Sequence, residues 1–301
     1  MTRMIRKIAL LTGPAGQTEA DGRPIDQNMN CVKEFTDEEF GAYERAKDAL
    51  QVFDEDRRLW NVVHMNYVDF EVFLRQVFER WVRGDPTLDI GQASMEIDRR
   101  IVNYTSSFVA WLKHMKSRYI KRYKKDSDRT KALLEALESE DFPYRFVVKY
   151  RNHLLHCGQP ISNLQLNTKV IDEQSTNMQF DMPVMLKKES LIEGRGKKAD
   201  IADWPEEIDV RSVLRDAMQW ASDLNKNELK KDIAEIEDEV EYVLGLSKHW
   251  EGEVGNPCVL EYDFDELLRL KRMPVHTLQE IPIKRAEMII DLKKYISETD
   301  D

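Results

Sequence analysis

The chain has 301 residues, of which 34% are charged and 42% hydrophobic, with only 12 Gly and 10 Pro. At about 150 residues per domain this length forms one large domain or two modest ones, and the composition excludes a disordered, fibrous or low-complexity protein. No apolar run has the length of a membrane span or a signal-peptide core, so we expect a cytoplasmic protein without membrane contact. Cys31, Cys157 and Cys258 are widely spaced and form no CxxC pair, so we expect free thiols rather than disulfides or zinc ligands.

Charge is distributed unevenly along the chain. The net charge of −11 disfavours nucleic-acid binding by the molecule as a whole. Residues 113–131, however, hold nine Lys or Arg against two Asp, a local charge of +7, and the rest of the chain therefore sums to −18. Such a run is typical of a solvated helix face, and it is also the sequence feature of a polyanion-binding surface.

The predicted elements begin with a strand over residues 7–11, which a loop follows. Thr36 and Glu39 have the spacing of a capping box and predict that a helix starts there. Helical spacing of apolar residues then predicts helices that cover 59–81, 97–119, 130–138, 144–157 and 210–246, the last being two helices or one bent helix.

The segments after residue 157 predict a smaller β component. Gly158 and Pro160 end the preceding helix. Apolar and polar residues alternate over 164–170 and again over 178–184, which predicts a β-hairpin in which Pro183 marks an edge. The charged segment 187–208 is predicted to be a loop, and the C-terminal region to contain a strand over 259–262 and a helix over 284–296.

The predicted fold is therefore mainly α. It consists of an N-terminal strand and loop over 1–35, a helical bundle over 36–250 with a β-hairpin insertion near 162–186, and a small mixed C-terminal segment over 251–301.

The helix over 144–157 carries the residues with the clearest chemical meaning. At 100° per residue, its core face holds Phe146, Val147, Tyr150, His153, Leu154 and Cys157. Arg151, Asn152 and His156 point away from that face. A guanidinium can hold a phosphate in a fork and an imidazole can move a proton near neutral pH, so this set suits phosphate-ester chemistry without a metal or another cofactor.

The sequence Arg151-Asn152-His153-Leu154-Leu155-His156 resembles the signature of HEPN domains, an Arg and a polar residue followed after three residues by a His. HEPN domains are helical, and many are metal-independent ribonucleases of toxin and antiphage systems. The resemblance implies that Arg151 and His156 are catalytic, that Asn152 assists them, and that two protomers form one composite cleft. The chain also contains Arg58 and His64 at a similar spacing, but apolar Leu59 follows Arg58.

From this resemblance and the charge pattern we predict a homodimeric endoribonuclease that cleaves RNA by attack of the 2′-hydroxyl. The predicted RNA-binding residues are Lys121, Arg122, Lys124, Lys125, Arg145 and Lys149. A toxin or antiphage effector of this kind implies a restraining antitoxin or regulatory protein. Val148 and Leu155, beside the motif, are expected to be exposed at the seam between protomers.

Two alternatives remain open from the sequence. The same helix fits a non-catalytic dimerisation or nucleotide-binding module, in which Arg151 and His156 form hydrogen bonds across an interface. A metal site formed by His153, His156 and Cys157 is disfavoured, because the helical angles separate the two histidines and no carboxylate has ligand spacing.

Overall fold

The computed structural model describes residues 4–12, 28–137, 142–157, 163–164, 167–170, 178–193, 201–270 and 275–299. Most of these residues are helical, and their strands form small antiparallel sheets. The predicted mainly α fold is therefore confirmed. No helix in the described part of the chain has the length and apolar character needed to cross a bilayer.

The helices follow one another closely along the chain. In the described residues they are α1 (Asp37–Val82), α2 (Ile90–Tyr123), α3 (Asp128–Leu137), α4 (Phe142–Cys157), α5 (Lys188–Glu193), α6 (Val210–Glu235), α7 (Glu237–Gly245), α8 (Phe264–Leu270) and α9 (Ile283–Glu298). A short 3₁₀ helix, Leu246–His249, follows α7. The predicted helical region 210–246 thus consists of two helices, which meet at Ile236.

The strands are short and lie in three sheets. They are β1 (Met4–Thr12), β2 (Asn28–Glu34), β3 (Asn163–Leu164), β4 (Asn167–Val170), β5 (Met178–Asp181), β6 (Val184–Lys187), β7 (Glu207–Asp209), β8 (Asn256–Asp263) and β9 (Val275–Glu280). The sheet orders are β2-β1-β8-β9, β3-β6-β7 and β4-β5, and every recorded pairing is antiparallel.

The capping box predicted at the start of α1 is present. The Thr36 backbone N–H donates to Glu39 Oε2 at 2.9 Å, and the Glu39 N–H donates to Thr36 Oγ1 at 3.2 Å. These two bonds satisfy amides that a helix start leaves without partners, which explains why a 46-residue helix begins at this point.

The first compact unit combines both ends of the chain, residues 1–55 and 228–301. Its four-stranded sheet places β1 between β2 and β8, with Ala9 opposite both Cys31 and Cys258. One sheet face packs Ile8 against Tyr43 of α1 and against buried residues of α7 and α9. Cys31 and Cys258 are free thiols, as predicted.

The second compact unit, residues 56–227, has its own core. Phe70 of α1, Phe108 of α2, Phe146 of α4, Leu214 of α6 and Leu186 of β6 belong to one buried cluster. This cluster fixes α4, which carries the Arg-Asn motif, against α2.

These unit boundaries fall inside α1 and α6, whereas the sequence divided the chain after residues 35 and 250. The difference arises because β1 pairs with β8 across about 250 residues of sequence, a contact that no local pattern predicts. The C-terminal segment is indeed mixed, but it shares its sheet with the N-terminal strands.

The remaining β predictions have mixed outcomes. β4 pairs with β5, with Thr168 opposite Phe180, so the predicted hairpin is present. Pro183, predicted to mark a sheet edge, lies between β5 and β6. β2, α8 and β9 had no sequence prediction.

The prediction of a loop over 187–208 is wrong for part of the segment, because α5 and β7 lie within it. Its high charge suggested solvent exposure, yet Lys188 is only 8% exposed. The Lys188 ammonium donates to the carbonyls of Ala202 and Trp204, each at 2.9 Å, and to Glu206 Oε1 at 3.1 Å. Burial of this lysine is tolerated because its donors are satisfied.

Candidate active site on helix α4

Helix α4 has a buried face over residues 146–153, as its periodicity predicted, and Leu154 on the same face is half-buried. Phe146, Val147 and Tyr150 are completely buried, and His153 is 6% exposed. Phe146 packs against Tyr150 and Trp204, with ring centroids 4.9 and 5.6 Å away. The helix is therefore anchored through this face, and its opposite face is left for polar residues.

Arg151 and Asn152 lie next to each other outside that buried face. Arg151 is half-buried and Asn152 is exposed. Arg151 Nη1 donates to Asn152 Oδ1 at 3.0 Å, so the amide orients the guanidinium. Arg151 Nε is buried and has no hydrogen-bond partner in the part of the chain that the structure describes.

His156 lies in the last turn of α4, five residues after Arg151, which is about 7.5 Å further along the axis. Its side chain, the Cys157 side chain and the helix-ending Gly158 and Pro160 lie outside the described residues. The predicted outward direction of the His156 imidazole therefore stays a prediction.

The hydrophobic residues beside the motif differ from each other. Leu155 is 48% exposed, as expected for a seam between protomers. Val148, expected to be exposed too, is half-buried because it packs against the core cluster of this unit.

His153 has the predicted position of a packed histidine. Its ring stacks on Tyr150, with a centroid distance of 6.4 Å and an interplanar angle of 14°. Neither ring nitrogen has a hydrogen-bond partner among the described residues. Burial lowers the pKa of His153, because an apolar surrounding disfavours the imidazolium.

The orientation of α4 relative to α2 follows from two contacts. Burial raises the pKa of the Tyr150 phenol. The Asp98 carboxylate, which lies within electrostatic range, raises it further. Tyr144, in the first turn of α4, contacts Trp220, which in turn contacts Phe108. The Arg151 end of α4 is therefore next to the first part of α2.

The six predicted RNA-binding residues fall into two groups. Lys121, Arg122, Lys124 and Lys125 are all exposed at the junction of α2 and α3, which we call the basic turn. Lys124 has a φ of 65°, a conformation that ends α2 and is strained for a residue with a side chain.

Arg145 and Lys149 lie on α4 itself. Lys149 is exposed, whereas the Arg145 guanidinium pairs with Asp203, at 3.0 Å, and thereby lowers the pKa of that carboxyl. Asp98 and Arg122 are 24 positions apart on the continuous helix α2, which corresponds to about 36 Å. The basic turn is thus far from the Arg151 end of α4.

A second cluster of polar side chains was missed by the sequence analysis. His114 Nε2 lies 2.7 Å from Asp56 Oδ1, and Arg118 Nη1 bonds the other oxygen of the same carboxylate. The i, i+4 spacing of His114 and Arg118 was visible in the sequence, but their common partner lies on α1, 58 positions before His114.

No group of three His, Cys, Asp or Glu side chains in the described ranges could hold a metal ion. The alternative site of His153, His156 and Cys157 includes two side chains that these ranges omit.

Comparison of the chain with family models, with curated proteins and with solved structures gives no match.

Proposed function

We propose that the chain is a metal-independent endoribonuclease of the HEPN type, with its active site on the polar face of α4. The observation that carries the proposal is the Arg151–Asn152 pair, in which an exposed amide holds the guanidinium at 3.0 Å beside a buried helix face. A guanidinium that is oriented before substrate binds can stabilise developing charge without reorganisation.

In the proposed reaction the 2′-oxygen of the RNA attacks the adjacent phosphorus, and the bond from phosphorus to the 5′-oxygen breaks. His156 of one protomer accepts the 2′-hydroxyl proton, and His156 of the partner subunit protonates the leaving 5′-oxygen. Arg151 stabilises the charge on the phosphorane-like transition state. The products are a 2′,3′-cyclic phosphate and a 5′-hydroxyl. The proposed reaction requires no metal ion.

The first test is RNA cleavage by the purified chain in EDTA, with analysis of the product ends. We expect cyclic-phosphate and 5′-hydroxyl ends, and a loss of at least about 100-fold in rate for Arg151→Ala and for His156→Ala. His64→Ala is the matched control, because this exposed histidine of α1 follows Arg58 at a spacing similar to that of the motif. Cleavage that EDTA abolishes, or full activity of His156→Ala, would contradict the proposal.

A second candidate function is a non-catalytic dimerisation module. The observation that favours it is an apolar stripe on α1 formed by Val62, Met65, Val68 and Val72, which are between 42% and 68% exposed. These residues lie within an arc of about 120° on the helix. This candidate predicts self-association without turnover of RNA at any protein concentration.

We propose a toxin or antiphage effector as the biological setting of the nuclease. A free ribonuclease would damage its own cell, so the setting requires an antitoxin or regulatory partner that restrains it.

A further inference from the structure

The last 25 residues of α2, 99–123, are free of carboxylates. They contain seven Lys or Arg and no Asp or Glu. At the average of this chain, in which 56 of 301 residues are acidic, about five carboxylates would be expected in such a stretch. This part of α2 is therefore locally cationic in a protein whose net charge is −11.

Helix α1 neutralises the positive charges that point inward. Asp69 pairs with Arg100 at 3.1 Å, and Asp56 pairs with Arg118. Both guanidiniums are largely buried, with 13% and 12% of their side-chain surface exposed. On the opposite, outward face of α2, Arg99 pairs with Glu96 at 3.0 Å, whereas no carboxylate of α2 lies within one helical turn of Lys113 or Lys121.

The outward face of α2 forms a narrow polar row, which we call the α2 track. Its members lie within an arc of about 80°. All are exposed except the half-buried Ser106, and they are Arg99, Asn103, Ser106, Ala110, Lys113, Ser117 and Lys121. The short side chains in its middle leave space for a polymer backbone between the charged ends.

The length of the α2 track defines a substrate length. From Arg99 to Lys121 the helix rises about 33 Å. One end follows Asp98, which lies within electrostatic range of Tyr150, the residue before Arg151 on α4, and the other end joins the basic turn. At about 3.4 Å per stacked nucleotide, this distance corresponds to about ten nucleotides of one strand.

We propose that the α2 track binds a single strand of RNA about ten nucleotides long, with one end on the basic turn and the other beside Arg151. One row of cations matches one phosphate backbone, whereas a duplex presents two. The track lacks the large apolar side chains that a helix needs to lie on a membrane. The placement of the cleaved phosphate beside Arg151 depends on the proposed nuclease function. The binding of the strand along the α2 track does not depend on it.

Binding is measured on the full chain with 2′-O-methyl oligoribonucleotides of 4, 8, 12 and 16 nucleotides by fluorescence anisotropy. A 2′-O-methyl strand has no 2′-hydroxyl to attack, so binding is separated from cleavage. We expect the affinity to rise up to about 10–12 nucleotides and then to level off. The double variant Lys113→Ala/Lys121→Ala should bind the 12-mer about tenfold more weakly and lower the salt slope by about 1.4, because each lost phosphate contact contributes about 0.7.

The matched control is Lys248→Ala/Lys284→Ala, which removes two exposed lysines from the other compact unit and should leave the affinity unchanged. Equal affinity for the 4-mer and the 12-mer, or equal loss in both double variants, would overturn the α2 track. Binding to anionic vesicles without binding to RNA would overturn it too.

The test also separates the track from the proposed nuclease. Cleavage of unmodified RNA at a rate that does not depend on length would support the nuclease and overturn the track. Length-dependent binding without cleavage would support the track and contradict the nuclease.

Discussion

His153 shows how one buried residue in the motif helix couples stability to pH. Its imidazole is 6% exposed, both ring nitrogens are without partners among the described residues, and burial lowers its pKa below the ordinary value of 6.5. The folded chain therefore binds fewer protons at this residue than the unfolded chain. The contribution of neutral, buried His153 to the free energy of unfolding is therefore fully present above pH 6.5. It is lost as the pH falls from 6.5 toward the lowered pKa.

We predict that His153→Leu removes this acid sensitivity. Leucine has a similar volume and no unpartnered nitrogen, so the variant should be at least as stable at pH 7.5. In the native chain the free energy of unfolding should fall below pH 6.5 with a slope of at most about 1.4 kcal/mol per pH unit from this residue. Urea unfolding at pH 7.5, 6.5 and 5.5 measures the difference.

The control for His153→Leu is His64→Leu, which replaces an exposed histidine of α1. It should keep the full acid dependence of the native chain. An unchanged slope in His153→Leu would show that another group titrates on unfolding.

At the scale of elements, sequence reasoning succeeded where a signal is local. The Thr36–Glu39 capping box and the apolar arc of α4 depend on residues within one or two turns, and both are present in the structure. The pairing of β1 with β8 and the distance between the basic turn and Arg151 depend on packing between distant segments. For the same reason the sequence grouped Lys121 with Lys149, although the two residues lie on different helices.

The apolar stripe of α1 leads to a prediction about a whole element. In an antiparallel pairing of two copies of α1 about an axis between residues 68 and 69, Met65 meets Val72 and Arg58 meets Glu79. These two pairs join apolar to apolar and opposite charges, so for the non-catalytic candidate function a second copy of the chain is the partner that fits the stripe. A single helix pair buries less surface than a standard interface, and we expect a dimer that dissociates on dilution.

Met65→Glu should convert this dimer to a monomer, because it places two carboxylates in the apolar seam. Molar mass measured by light scattering over a range of concentrations tests the prediction. Met95→Glu, on α2, is a control of the same chemistry at another highly exposed methionine. A dimer that persists in Met65→Glu would place the protomer contact elsewhere.

At the scale of the whole molecule, the chain has two compact units with separate cores. Unit 56–227 is continuous in sequence, whereas the other unit needs both chain ends to complete its sheet. The candidate active site and the α2 track lie entirely in the continuous unit. Five of the six tryptophans, Trp60, Trp81, Trp111, Trp204 and Trp220, belong to that unit as well, so tryptophan fluorescence reports mainly on its unfolding.

We predict that the two units unfold in separate steps. Ile8→Ala removes a fully buried side chain from the core on the four-stranded sheet and should cost about 2–5 kcal/mol there. In urea it should shift part of the transition seen by far-UV circular dichroism, while the fluorescence transition stays in place. Phe108→Ala, in the core of unit 56–227, should move the fluorescence transition instead. If Ile8→Ala shifts both signals equally, the chain unfolds as one cooperative system, since coincident transitions are the mark of two-state behaviour.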